Sequence, residues 1–584
     1  MGIAENKKTR PWDFLAQYKG EYFNGEWPTI PQMFDITCAQ HPQNRCFTAF
    51  SPDELTFTYE QAREKILGVS NYLVKQGVMH GDRVAVTGKN SPEWAIAYLA
   101  ILYAGATVVP LDYQLHDDEI DFLLKFSGVR YLFIDSERIG AIDTAGKVGL
   151  VEKISLENDH PDYILNKMVP VFLERTTSTE KELAAILFTS GTTGNPKGVM
   201  LSHANLVSDC YLSQDLLDVY STDVFYALLP IHHSYTMLAV FIEAISQGAE
   251  IVFGKKLIVS QILKELKRGK VTMFLAVPML FNKMLKALMN GIREKGIIVY
   301  GLIRFLMKVS GLIKKIFKKN PGHKMFNGLL SKLSLDKCRN CICGGGPLPS
   351  STFKLFNELG IDFVQGYGLT ETSPIIALNP IKAYIETSVG KVVTGTEMKI
   401  IDADARGIGE IVVRGPMVMQ GYYKNPEATA EVLDKDGWLR TGDAGYLDDN
   451  NYLYLTGRKK SLIVTEGGKN VFPEEIEDHF QLYDEVEQIC VIGYLMDVKT
   501  KSEGIRVIIH PSQKFFDGMA AQFPEAKVCA AEIDNHMKGI VDKVNKDLLP
   551  YKRITRVTVV SEPLEMTSTK KIKRFLVAEK YKDL

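Results

Sequence analysis

From Thr58 to Lys75 the apolar residues recur at helical spacing and Gly77 closes the stretch. The turn His80-Gly81-Asp82 follows, then the short strand Arg83-Val84-Ala85-Val86. The exchange recurs over roughly the first 400 residues, as where Val271 to Val277 reads as a strand and Pro278 opens the next helix. Strands separated by helices line up in parallel under a helical cover, so the pattern predicts an α/β chain. Trp94 to Leu111 is uncharged and touches the lower length limit of a membrane span, yet Gly105 and Pro110 interrupt it. It reads as a helix followed by the strand Ala106-Thr107-Val108-Val109.

The texture changes from about Gly390 to Leu455, where short strands are separated by turns such as Gly407-Ile408-Gly409-Glu410 and Asp448-Asp449-Asn450-Asn451. After Gly457-Arg458-Lys459-Lys460 a mixed segment begins that is large enough for its own core. The expected organisation is a large N-terminal domain, 1–459, of helix-covered β-sheets plus a small β-rich subdomain at 390–455. A small α+β C-terminal domain, 460–584, follows, with the boundary at Lys460.

A chain of 584 residues with 46% hydrophobic and 24% charged residues suits several soluble folding units. Lys+Arg total 69 against 70 Asp+Glu, so no global charge excess recruits nucleic acid. The N-terminus lacks the apolar core of a secretory signal, and Asn6 stands where a myristoylation motif needs Ser or Thr, so a cytoplasmic location is expected. Eight scattered cysteines make no disulfide framework. Cys338, Cys341 and Cys343 lack a nearby fourth ligand, and buried strand cysteines are the expected reading over a metal site.

The most informative stretch is Leu187-Phe188-Thr189-Ser190-Gly191-Thr192-Thr193-Gly194-Asn195-Pro196-Lys197-Gly198. Its glycines let backbone approach a polyanion, four hydroxyls can donate to phosphate oxygens, and Lys197 adds a mobile charge. The G-K-[ST] ending of a Walker loop is absent. A triphosphate is the natural ligand, and a plain Ser/Thr/Gly linker is the alternative for the loop by itself.

Further segments follow in order: Leu229-Pro230-Ile231-His232-His233, Gly344-Gly345-Gly346-Pro347-Leu348, Tyr367-Gly368-Leu369-Thr370-Glu371-Thr372 and Gly409 to Pro416. Trp438-Leu439-Arg440-Thr441-Gly442-Asp443, Gly457-Arg458 and the lysine-rich Thr567 to Arg574 complete the series. Together with the loop this series resembles the adenylate-forming (AMP-binding) superfamily, and its long-chain fatty acid:CoA ligase (acyl-CoA synthetase) branch in particular.

The resemblance implies ATP, Mg²⁺ and coenzyme A as cofactors and co-substrates. It assigns Thr189 and Glu371 to the metal, and Ser190, Gly191, Thr192, Thr193, Gly194 and Lys197 to the phosphates. Gly344, Gly345 and Gly346 would lie against the adenine with Tyr367 stacking on it, and Gln365, Gly366, Gly368 and Thr370 would also bind the nucleotide. Asp443 and Arg458 would take the ribose hydroxyls. Lys571 is the catalytic lysine by register from Thr567 and Ile572, with Lys570 where relatives have glycine. Lys460 aligns with the hinge on which a mobile C-terminal domain turns, and Gly467 and Gly468, after Thr465-Glu466, would line a tunnel for the pantetheine arm.

The stretch from His232 to Phe241 carries no acid, which disfavours an amino-acid substrate. His233 matches a catalytic position beside the acyl pocket; taken alone it reads as a satisfied core histidine. Arg293 to Lys324 holds nine Lys/Arg and one Glu among apolar runs, and reads as one or two basic amphipathic helices. These either contact the inner face of a membrane or pack on the domain.

The expected activity is ATP-dependent fatty acid:CoA ligation through an acyl-adenylate. The alternatives are an acyl-adenylate synthetase that loads a carrier protein and a non-catalytic nucleotide-binding membrane scaffold. Expected partners are a carboxylic acid, ATP and CoA, with no nucleic acid; homodimer formation is left open.

Overall fold

The computed structural model describes residues 10–582 except 145, 147, 171–175, 190–195, 256–257, 347, 466–468, 482, 498–501 and 568–570. Two compact units emerge. The first comprises Met1–Gly345, Phe353–Met398 and Val413–Leu439, and the second Gly346–Thr352, Lys399–Val412 and Arg440–Leu584. The β-rich stretch between Gly390 and Leu455 is thus shared between them.

The first unit is α/β, as the helix–strand alternation requires. One sheet is 7-stranded, in the order Gly421–Tyr422, Lys197–Ser202, Leu183–Thr189, Thr107–Leu111, Arg83–Thr87, Tyr131–Ile134 and Glu152–Ser155. Its helix-connected strands pair in parallel, with Ala85 opposite Val109 and Leu132. A second sheet runs through Asp362–Gly368, Asn340–Cys343, Met273–Ala276, Val224–Ala227, Glu250–Phe253 and Arg45–Ala49, all parallel. Ile375–Leu378 pairs antiparallel with Asp362–Gly368 and in turn with Gly390–Val392, and Leu55–Thr58 pairs antiparallel with Arg45–Ala49.

Local chemistry explains the elements. The helix Tyr59–Lys75 starts where the Thr58 side chain accepts the Gln61 N–H and Gln61 returns a bond to the Thr58 N–H, a reciprocal cap. Gly77 follows it at φ +89°. The uncharged stretch after Trp94 is the helix Pro92–Tyr103 and the strand Thr107–Leu111, buried along nearly its whole length. Its apolarity belongs to a protein core, and no helix among the described residues is long and apolar enough to cross a membrane.

The second unit contains a 3-stranded sheet, Val486–Asp497, Ser502–Pro511 and Arg556–Val559. The helix Ala526–Asp547 packs Met537, Ile540, Val541 and Val544 against Val491, Val507 and Ile509 of that sheet. The antiparallel pair Leu439–Leu447 with Tyr452–Arg458 places Asp443 opposite Arg458.

Candidate active site

The strand Leu183–Thr189 pairs antiparallel with Lys197–Ser202, and Thr189 lies opposite Lys197. This hairpin holds both ends of the glycine- and hydroxyl-rich loop; Ser190, Gly191, Thr192, Thr193 and Gly194 lie outside the described residues. On its other side Lys197–Ser202 pairs with Gly421–Tyr422, where Tyr422 faces Val199. The Tyr422 ring therefore lies 4.7 Å from the Lys197 ammonium, a cation–π contact. The Tyr422 hydroxyl donates to Glu371 Oε1 at 2.9 Å. Burial first, and the Glu371 carboxylate second, push the phenol pKa up, so the hydroxyl stays protonated and donating.

Glu371 sits in the 3₁₀ turn Thr370–Thr372, and its carbonyl accepts the Met419 N–H at 2.9 Å. Lys197 and Glu371 are thereby joined through one aromatic side chain outside the sequence series, and Thr189 pairs with Lys197 across the hairpin. The signal for it is faint: an aromatic in a two-residue strand opened by Gly421 at φ +127°.

The turn carrying His233 is held by Asn90, whose Nδ2 donates to the carbonyls of Ala227 and Leu229 at 2.9 and 2.8 Å. Asn90 Oδ1 accepts the Ile231 N–H at 3.0 Å. His233 Nδ1 accepts the Tyr235 N–H at 3.4 Å, and the Ser234 hydroxyl lies 3.0 Å from that of Thr370. The His233 turn and the Glu371 turn are thus neighbours. His232 is buried and lies 3.7 Å from Asp112; burial pulls its pKa down and the carboxylate opposes this. The following stretch, Met237–Ile242, is a wholly buried π-helical turn.

The glycines of the expected adenine site meet demands from the protein itself. A Cβ at Gly344 would fall 2.9 Å from the Tyr235 ring, and one at Gly368 would fall 1.5 Å from the Pro374 carbonyl. Gly345 has φ +79° and open space around it. Gln365, Gly366, Tyr367 and Gly368 end the strand Asp362–Gly368, with Gly366 opposite Leu378 and Tyr367 opposite Ala377. Cys341 and Cys343 are buried in the strand Asn340–Cys343, and Cys338 is buried just before it.

In the second unit, Arg458 Nε contacts Asp443 Oδ1 at 2.9 Å, with Asp443 almost covered and Arg458 half exposed. Lys571 pairs back with Thr567: the Thr567 N–H donates to the Lys571 carbonyl at 2.8 Å, and the Lys571 N–H to Thr567 Oγ1 at 3.1 Å. Its side chain keeps access to solvent. Even so, desolvation first, then the Arg458 guanidinium, pull its pKa below the usual lysine value, against the Asp443 carboxylate. Asp443, Arg458 and Lys571 therefore share one electrostatic neighbourhood.

Arg574, three residues after Lys571, fastens the chain at that point. It binds Glu477 Oε1 and the Val491 carbonyl, each at 2.5 Å, and Glu474 Oε1 at 3.0 Å. Lys460 lies in the 3₁₀ turn Lys459–Ser461 inside the second unit. Thr465 Oγ1 donates to the Lys469 carbonyl at 3.2 Å, and Gly467 and Gly468 lie outside the described residues.

Thr189 and Glu371 offer a hydroxyl and a carboxylate, the hard oxygen donors that Mg²⁺ takes. Among the described residues no group of three or more His, Cys, Asp or Glu is placed to hold a metal. The donor set fits an ion completed by phosphate and water rather than one caged by protein.

Known proteins resemble this chain in sequence and in fold. A long-chain-fatty-acid–CoA ligase, FadD15 of Mycobacterium bovis, is 29% identical over 90% of this chain and 90% of its own. The chloroplastic long-chain-fatty-acid–[acyl-carrier-protein] ligase AEE15 of Arabidopsis thaliana is 26% identical over 99% of this chain and 89% of its own. The crystal structure of ATP-bound MatB from Rhodopseudomonas palustris superposes with a TM-score of 0.74 at 25% identity, covering 95% of this chain and 99% of that one. The sequence pattern of the family described as AMP-binding enzyme matches residues 34–423, more than half of the chain, and this chain belongs to that family of adenylate-forming enzymes.

Proposed function

We propose that the chain is an ATP-dependent fatty acid:CoA ligase. A carboxylate is a poor electrophile, so the acid oxygen first attacks the α-phosphorus of ATP, and the bond to pyrophosphate breaks. The CoA thiol sulfur then attacks the acyl carbon of the acyl-adenylate, and AMP leaves with the electron pair of the broken C–O bond. The observation that carries the activation step is the set Thr189, Lys197, Tyr422 and Glu371, which puts hydroxyl, cation and carboxylate around one hairpin. Thr189 and Glu371 would hold Mg²⁺, which when bound offsets the charge gathering on pyrophosphate.

In this reading Lys571 bridges the acid and the α-phosphate, and Asp443 with Arg458 holds the ribose. Lys460 is the hinge on which the segment 460–584 turns between the half-reactions, and Gly467 and Gly468 admit the thiol arm. A fatty acid is supported by the apolar, buried run Met237–Ile242 directly after the His233 turn, and the stretch from His232 to Phe241 itself carries no carboxylate for an amino group. Transfer to an acyl carrier protein is the second reading, favoured by the near-complete coverage of the chain by the chloroplastic relative.

A panel of carboxylic acids assayed for AMP release, alone, with CoA and with a pantetheinylated carrier protein, tests both. Stimulation by CoA with long-chain acids supports the ligase. Stimulation by the carrier alone moves the assignment to the second reading. No AMP release with any acid rejects both.

A further inference from the structure

The helix Ile297–Phe317 sits on the first unit with its polarity reversed. Its buried residues are Met307, Ser310 and Lys314. Lys314 Nζ donates to Asn357 Oδ1 at 2.8 Å and to the Ile361 carbonyl at 2.9 Å, and lies 2.7 Å from Asp362 Oδ1. Arg304 reaches Glu358 at 3.3 Å from the same side. At Gly311 the helix comes so close that a Cβ would fall 2.7 Å from the Glu358 side chain.

The outward face is apolar. Ile298, Leu302, Phe305, Leu312 and Ile316 are 83, 58, 62, 58 and 59% exposed, and their spacing by three, four and seven residues makes them one stripe opposite the polar anchors. Lys308 and Lys315 flank the stripe on one side, Lys315 in an ion pair with Glu386 at 3.2 Å, and exposed Arg293, Lys295, Lys318 and Lys319 bracket its two ends. Glu294 is the lone acid between Arg293 and Lys324.

We propose that this stripe docks on an anionic lipid surface, its apolar side chains entering the acyl boundary while the lysines lie at the headgroups. The charge pattern selects this occupant. A row of cations around an exposed apolar ridge complements a negatively charged interface, and it repels a second copy of the same basic face. The helix lies along the surface rather than crossing it, because Arg304, Lys308, Lys314 and Lys315 interrupt its length and no helix among the described residues suits a span. The inference goes beyond the acid specificity proposed above, and it is read without turnover.

The test is flotation of the full chain with phosphatidylcholine vesicles, with and without phosphatidylglycerol, at low and high salt. The expected result is binding to the phosphatidylglycerol vesicles at low salt that falls at least about tenfold with phosphatidylcholine alone or at high salt. Replacing Leu302, Phe305 and Leu312 together by Ser should abolish flotation while Tm stays unchanged, since these side chains are exposed. Lys308→Glu with Lys319→Glu should remove the preference for phosphatidylglycerol. No flotation of the wild type, or undiminished flotation of the serine variant, would overturn the proposal. A wild-type dimer that the serine variant turns into monomer, with no vesicle binding by either, would overturn it in favour of a second copy.

Discussion

Tyr422 donates its hydroxyl proton to Glu371 across 2.9 Å while its ring faces the Lys197 ammonium at 4.7 Å, so one side chain orients a carboxylate and a cation together. Tyr422→Phe keeps the ring and removes the hydrogen bond. A bond to a charged acceptor is lost, and the expected outcome is an ATP–pyrophosphate exchange rate lower by about tenfold or more, with a raised Mg²⁺ requirement. Tyr422→Leu removes the ring face as well and should weaken ATP binding further. Exchange kinetics at varied Mg²⁺ check both variants.

Lys571→Ala should reduce acyl-adenylate formation by at least about 100-fold, because the charge that meets the acid and α-phosphate is gone. Thioester formation from a supplied acyl-adenylate should be spared. Full activity in the forward direction would remove Lys571 from the mechanism.

Arg574→Ala should destabilise the second unit by about 3–5 kcal/mol, since it leaves Glu474 and Glu477 facing each other without their cation. Thermal unfolding measures the loss. Adenylate formation should fall as well, because the segment that carries Lys571 loses the fastening three residues further on.

Lys460→Pro restricts φ at the proposed hinge and should slow CoA-dependent turnover while leaving pyrophosphate exchange near the wild-type rate. Equal turnover in variant and wild type would argue against rotation at this residue.

Glu243 is buried beside Ser213 Oγ at 2.7 Å and Gln214 Nε2 at 2.6 Å, and burial pushes its pKa up to about 7 from 4.5. The folded state therefore binds the proton more tightly than the unfolded chain. Stability from this group is full below the unfolded value and is lost as pH rises through about 7. Glu243→Gln should flatten the dependence of Tm on pH across that window, removing a loss on the order of 1–3 kcal/mol. An unchanged slope in the variant would show that other groups set it.

Much of the first unit is legible because its signals are local. Thr58 with Gln61 announces the start of a helix, and Gly105 divides the uncharged stretch after Trp94 into helix and strand. The ordered segments around Thr189, Glu371, Asp443 and Lys571 also name the residues that the two units bring into their respective groups. Tyr422 was hidden, because a two-residue strand has no periodicity and its partners Lys197 and Glu371 lie far away in sequence. The helix Ile297–Phe317 was legible as basic and amphipathic, but its orientation was not. A count of lysines cannot tell that Lys314 turns inward to Asn357 and Asp362 while Phe305 turns out.

Gly421–Tyr422 is a short strand, but it lies along the flank of Lys197–Ser202 that Leu183–Thr189 leaves uncovered. Any shortened version of the first unit that stops ahead of Gly421 strips the hairpin of that cover and bares a row of N–H and C=O groups, an invitation to edge-to-edge aggregation. The practical boundary for an independently expressed fragment is therefore beyond Tyr422, whatever the loop between Thr189 and Lys197 holds.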